Sequence, residues 1–284
     1  MNEFNDIEAN ILLKNNEPKD YLMGLTPNEI HNLLYETYSD KSLIQFRNDI
    51  DDKTLDQIPL FRLAEEYLKI IQKDKFIKLT PLGALPKKVM VELYDKRFLL
   101  DDFIETGITK LWKEEDCISI MSMRYAIELT GLVKKVHGKI TLTKKGIKFI
   151  EHENRLAFFK LFYQTFTDKF FWGFNDNYTE EPVGQLGWAY SAFMLHKYSD
   201  QERLTKFYAQ KFAEAFPIVV TFFNPDYTTP LDHFKHCYQT RSFDRFFLWF
   251  GLIAVKKENS KKNYEENEYK KTELLDSIFV FDLK

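Results

Sequence analysis

His233, His236 and Cys237 stand at i, i+3 and i+4 in a stretch that reads as helix. One helix face would present two imidazoles and a thiol, the donor types that hold zinc. No C-x-x-C or H-E-x-x-H accompanies them, so they are a candidate metal set of low specificity beside the plainer reading of hydrogen-bonded helix residues. Nucleophilic or acid–base chemistry has less to start from. The acidic pairs Asp51-Asp52, Asp101-Asp102 and Glu180-Glu181 are sequence neighbours, and side chains at i and i+1 do not converge on a helix. Cys117 lies near a helix start without an assignable histidine. There is no glycine-rich phosphate loop, nucleophile elbow or zincin motif. No cofactor is expected, and catalysis stays open only as a third reading, a site assembled in space.

A second chemistry is carried by cations. Lys134, Lys135 and Lys139 lie in or beside a compact β-hairpin pattern, with His137 at its turn, and Lys144, Lys145 and Lys148 follow at once. Arg124 precedes them on the helix Ser119–Thr130, which also offers Ser119, Ser122, Tyr125 and Glu128. Lysines so grouped suit phosphate contacts, which position a protein without reading sequence; only Arg124 is a strong reader of base edges. Arg124, Lys134, Lys135, Lys139, Lys144 and Lys145 are therefore the candidate nucleic-acid contacts. The plainer reading is a solvated set of lysines.

These residues need elements to hold them. Leu132–Val136 and Lys139–Leu142 alternate as strands around His137-Gly138, a turn pair that favours a tight hairpin. Gly131 sits where a helix C-cap glycine belongs, and Thr143 suits the N-cap of a helix over 144–154. Thr26-Pro27-Asn28-Glu29 is a capping box opening a helix over 27–38. A helix over 60–73 carries Leu60, Leu63, Ala64, Tyr67, Leu68 and Ile71 on one face. Phe76–Leu79 reads as a strand, and Thr80-Pro81 as the cap of a helix reaching Tyr94. A helical pair is expected over 99–115 and 119–130, and 39–57 as a loop with a short turn. Helices are also expected over 154–172, 183–197, 201–215, 217–224 and 230–250. The pattern closes with a hairpin of 252–257 and 268–271 around a charged tip, 258–267, and a short helix after Thr272.

One plan recurs: a β segment ends at a threonine that caps a helix, at Thr80, at Thr143 and more weakly at Thr272, with glycine three residues on at Gly83 and Gly146. The Leu142-Thr143-Lys144-Lys145-Gly146 junction after a hairpin resembles the wing-to-helix junction of bacterial winged-helix proteins, over about 99–154. In such units the helix before the hairpin enters the major groove and the wing touches phosphate. The stretch MGLTPNEIHNLLY, together with the LTPLG box, resembles an uncharacterised group of bacterial proteins, some related to passenger genes of mobile elements, with no known activity. The expected fold is mainly α with small β-hairpins: tandem winged-helix-like units plus an aromatic-rich helical region. Its parts are 1–98, a winged-helix-like 99–154, and 155–284 ending in a degenerate wing.

Composition bounds the rest. The chain has 284 residues, 44% hydrophobic and 29% charged, which supports a substantial core. Ten glycines and nine prolines are too few for a many-stranded sandwich or barrel. The net charge of −3 hides a basic middle between an acidic beginning and a near-neutral end. Two distant cysteines imply a reducing compartment, and no signal peptide or membrane span is read, so a cytoplasmic protein is expected. Most phenylalanines and three of the four tryptophans fall in 151–250, as a helical core or a partner surface. The functional expectation is non-enzymatic binding, either to nucleic acid through the basic middle unit or to protein, as a scaffold or homo-oligomer.

Overall fold

The computed structural model describes residues 2–256 and 267–282. The chain forms two compact units: unit 1 from Met1–Asn48, Asn175–Asp244 and Leu252–Lys284, and unit 2 from Asp49–Phe174 and Arg245–Gly251. Unit 1 begins with α1 (Asn2–Asn15), α2 (Pro27–Tyr35) and β1 (Ile44–Phe46). Unit 2 follows with α3 (Asp52–Leu55), α4 (Pro59–Asp74), β2 (Ile77–Lys78), α5 (Lys87–Tyr94), α6 (Asp102–Glu105), α7 (Ile118–Leu129), β3 (Val133–Val136), β4 (Lys139–Leu142), α8 (Lys144–Phe149) and α9 (Arg155–Asp168). Unit 1 resumes with α10 (Trp188–Tyr198), β5 (Arg203–Leu204), α11 (Thr205–Ala215) and α12 (Pro230–Tyr238), which runs into a π-helix, Gln239–Phe247, whose residues from Arg245 on belong to unit 2. It closes with β6 (Ile253–Lys256), β7 (Glu268–Lys271), α13 (Glu273–Ile278) and β8 (Phe279–Phe281). The architecture is mainly helical with small antiparallel sheets.

In unit 2, α4 buries the expected stripe, Leu60 to Ile71, together with Phe61 and Ile70, and packs on α7. Phe158, Phe159, Phe162 and Phe166 line the inner side of α9. Phe246 and Phe250 join them, with the Tyr163 and Phe250 rings edge-to-face at 4.8 Å. Trp172 reaches the same cluster, and its indole N–H donates to the Phe166 carbonyl at 2.9 Å. The aromatic run of 243–250 is thus core, as its scarcity of polar groups required.

Unit 1 opens on the Thr26 capping box, which forms in full with Pro27 at the first helical position. Its core is a second aromatic cluster of Tyr190, Phe212, Phe234, Tyr238 and Phe243. Arg241, fully buried, holds the Asp176 carboxylate and the carbonyls of Thr179 and Glu181, closing the loop over 176–181. The π-helix has a wider turn than an α-helix, and here it carries the adjacent residues Arg241 and Ser242 inward together.

The two units share an order of elements. In each, a helix, a short strand and two longer helices lead to a hairpin, and the short strand pairs with the hairpin's second strand: β2-β4-β3 in unit 2 and β5-β7-β6 in unit 1. Thr143 caps α8 through the Gly146 amide, while Thr272 holds the cap position of α13 without a side-chain bond to it. Most of the expected charged tip of the second hairpin, from 258 to 266, lies outside the described residues.

Several expectations are corrected. Thr80-Pro81 does not open a helix. Gly83, at φ +80°, turns the chain back so that the Thr80 amide meets the Ala84 carbonyl at 2.9 Å. Pro86 disfavours helical dihedrals at Leu85, so α5 starts only at Lys87. The span 99–115 yields one α-helical turn, α6, capped by Asp101 and ended by Gly107 at φ +75°, and the start of a 3-10 turn, Glu114–Asp116. The span 39–57 has its short turn at α3 but also holds β1, which pairs with β8; neither strand was expected. Short strands such as β5 and β1 have no alternation to read.

Candidate functional site

The hairpin in unit 2 is assembled locally. Gly131 at φ +73° ends α7, and the Thr130 hydroxyl donates to the Ile127 carbonyl at 2.6 Å while accepting the Leu132 amide. His137 at φ +48° and Gly138 at φ +69° make the two-residue turn, both left-handed as such a turn requires. Thr143 then ties strand to helix. Its amide donates to the Leu132 carbonyl, its hydroxyl donates to the Gly131 carbonyl at 2.9 Å, and the same oxygen accepts the Gly146 amide at 3.0 Å. A Cβ on Gly146 would lie 2.0 Å from the Leu132 carbonyl oxygen, so the close seat of α8 on β3 demands glycine there.

Register decides which lysines share a face. Lys134 pairs with Thr141, Val136 with Lys139, and Lys78 of β2 also with Lys139. Residues opposite each other point the same way and alternate along each strand. The outer face therefore carries Lys78, Lys134 and Lys139 with Val136 and Thr141. The inner face carries Val133, Ile140 and Ile77, with Lys135 exposed at its edge near Gly83. Lys139 sets its ammonium 4.0 Å from the centroid of the Phe76 ring. Lys144, Lys145 and Lys148 are exposed on α8, with the Lys145 ammonium 3.4 Å from the Thr130 carbonyl. Among the described residues none of these seven lysines is ion-paired. Lys78 was not among the expected contacts. It lies in the expected strand 76–79, but nothing in sequence announces that this strand joins the hairpin from fifty residues away.

Arg124 is placed elsewhere. Its side chain is 2% exposed and forks onto Glu114, equally buried, while a third nitrogen bonds Glu128 at 2.7 Å. Glu114 in turn accepts the Leu85 amide at 2.9 Å. The pair pins the turn after β2 to α7. Ser119 and Ser122 are buried too, because α4, α5, α9 and β3 surround α7. The helix expected to face a groove is interior, and Arg124 is corrected from a base reader to a core ion pair.

The remaining chemistry is dispersed. Cys237 is buried, and His233 sits between the rings of Tyr178 and Phe223, each 5.3 Å away. Among the described residues no group of three His, Cys, Asp or Glu side chains is placed to hold a metal. Cys117 is buried, and burial pushes its thiol pKa up, away from nucleophilic reactivity. A cavity of about 320 Å³ in unit 2 is lined by Asp56, Arg62, Glu65, Lys69 and Arg155. There Arg155 bonds Asp52, Asp56 and Glu65, and Arg62 bonds Asp56 and ion-pairs with Glu65. Each guanidinium is matched to carboxylates, an arrangement that ties α3, α4 and α9. Among the described residues no helix is long and apolar enough to cross a membrane.

Residues 56–155 match the family model described as the Y4jL N-terminal domain, a match that fits an uncharacterised group of bacterial proteins. The matched span lies within unit 2 and includes the hairpin and its lysines. The comparisons with curated proteins and with solved structures returned no match.

Proposed function

We propose that unit 2 is a winged-helix-like module that binds nucleic acid through phosphate contacts on the outer face of β2-β4-β3 and the first turn of α8. The observation that carries this reading is the placement of Lys78 directly opposite Lys139, with Lys134 on the same face and none of them ion-paired among the described residues. Like charges opposed across a ladder oppose folding, so a face built this way gains from a polyanion. The helix–helix–hairpin order supports the winged-helix reading. The burial of α7 argues for contacts that ignore sequence, since the helix before the hairpin is not free to enter a major groove. The contact set becomes Lys78, Lys134, Lys135, Lys139, Lys144 and Lys145.

Unit 1 provides the contrast. At the positions of Lys78 and Lys139 its sheet has Leu204 and Glu268. The same plan without the opposed lysine pair, and with Glu268 beside Lys270 on that face, favours a role for unit 2 alone.

The test is fluorescence anisotropy of the full chain with labelled mixed-sequence DNA and RNA over a salt series. Affinity is expected to fall steeply with salt. Lys134→Glu with Lys139→Glu is expected to weaken it more than tenfold. No binding at low salt, or variants that bind as wild type, overturns the proposal. A second reading, a protein-docking surface, draws on the exposed Phe103, Ile108 and Trp112 of unit 2. It predicts self-association or a partner in sedimentation that the lysine variants leave unchanged.

A further inference from the structure

We infer that the outer face of β2-β4-β3 takes single-stranded nucleic acid, with a base stacked on Phe76 and the flanking phosphates held by Lys78, Lys134 and Lys139. This rests on the phosphate-binding reading above and names its substrate class. Phe76 immediately precedes β2, and alternation puts it on the face of Lys78. Phe76 is 38% exposed, and the Lys139 ammonium lies over its ring, 4.0 Å from the centroid. Val136, also exposed, lies opposite Lys139 on the same face. An aromatic ring and an aliphatic floor between unpaired lysines form a stacking platform with an electrostatic border, the pattern that binds strands whose bases are free.

A duplex offers such a face little. Its bases are stacked inside, so the ring and Val136 would meet only sugar and phosphate, and the buried α7 supplies no groove contact. Three strands span about 10 Å, enough for a short run of splayed nucleotides. When a base covers Phe76, the Lys139 ammonium moves from the ring to a neighbouring phosphate, exchanging one electrostatic partner for a stronger one. The equivalent face of unit 1 has mixed charge and a different set of side chains. Glu202 stands where Phe76 does, with Leu204 and Glu268 beside it, so the ring and the opposed lysine pair are replaced there, although Lys270 lies on the same face.

The experiment uses the full chain and three probes: a labelled single strand of about twelve nucleotides, its duplex, and the strand carrying 2-aminopurine. The single strand is expected to bind more tightly than the duplex. Phe76→Leu is expected to weaken the strand about tenfold and the duplex less than twofold, and Phe76→Tyr to retain wild-type affinity. The 2-aminopurine emission falls on binding to wild type and Phe76→Tyr, and does not fall with Phe76→Leu. Melting curves of the variants check that the fold is kept; Phe76 is a surface ring, and the Tyr variant provides the folded control. Equal binding of strand and duplex, unchanged by Phe76→Leu while Lys134→Glu with Lys139→Glu weakens both, overturns the inference and leaves phosphate binding standing. Failure of wild type to bind either probe at low salt overturns both.

Discussion

Arg124 and Arg155 each meet several carboxylates, yet water reaches them differently. The Arg124–Glu114 pair is closed off, and Glu114 also carries the Leu85 amide. Deleting one partner strands a charge in the interior, a loss of about 3–5 kcal/mol. Arg124→Ala should therefore shift the urea midpoint sharply downward, and Glu114→Gln combined with Arg124→Met should recover much of it. If Arg124 acted at an exposed interface, its loss would instead change binding and spare stability. Arg155 sits at a half-open rim, where Asp56 is 52% exposed. The hydrogen bond from Arg155 holds the Asp56 carboxyl below its ordinary value of 3.8. A folded-state pKa below the unfolded one gives stability that is present above the unfolded value and is lost as pH falls through the folded value. Asp56→Asn should be less stable than wild type at neutral pH, by under about 1 kcal/mol because the site is solvated. The difference should shrink in thermal melts as pH drops below about 4.

At the level of elements, equal spacing in sequence concealed unequal causes. Gly83 and Gly146 both stand three residues after a threonine that ends a strand. Gly83 is needed for its left-handed φ, which builds a turn, whereas Gly146 is helical and needed because the Leu132 carbonyl crowds its Cα. Only the second threonine caps a helix directly. Gly146→Ala must push α8 off β3, an overpacking cost of about 3 kcal/mol, measurable by denaturant unfolding. The β3–β4 hairpin was legible because His-Gly, alternation and the Thr143 cap act within twelve residues. The burial of α7 was not, because Ser119, Ser122 and Arg124 give the helix a polar signature that only the packing of α4, α5 and α9 resolves. Helix α6 was overextended for the converse reason, since Leu100, Phe103 and Ile108 mimic an apolar stripe while remaining exposed.

For the molecule as a whole, the aromatic half announced a core without saying that it would be divided. Phe158 to Phe166 gather Phe246 and Phe250 into unit 2, while Tyr190, Phe212 and Phe243 serve unit 1. A reading along the chain has no means of assigning residues 245–251 to a unit that otherwise ends at Phe174, because ring-rich segments look alike wherever they are buried. The proposed contact face was half legible for a similar reason. Lys134, Lys135 and Lys139 are neighbours in sequence, whereas Lys78 and Phe76 arrive through strand pairing.

That pairing makes the unliganded protein sensitive to its ionic surroundings. Two ammonium groups held across adjacent strands repel, so added salt should raise the melting temperature of the free chain before any ligand is present. Lys78→Thr removes the repulsion and suits a strand. The variant should melt above wild type in dilute buffer, lose that advantage in concentrated salt, and hold the oligonucleotide less firmly throughout. Conformational stability and adhesion would thus be opposed at a single side chain.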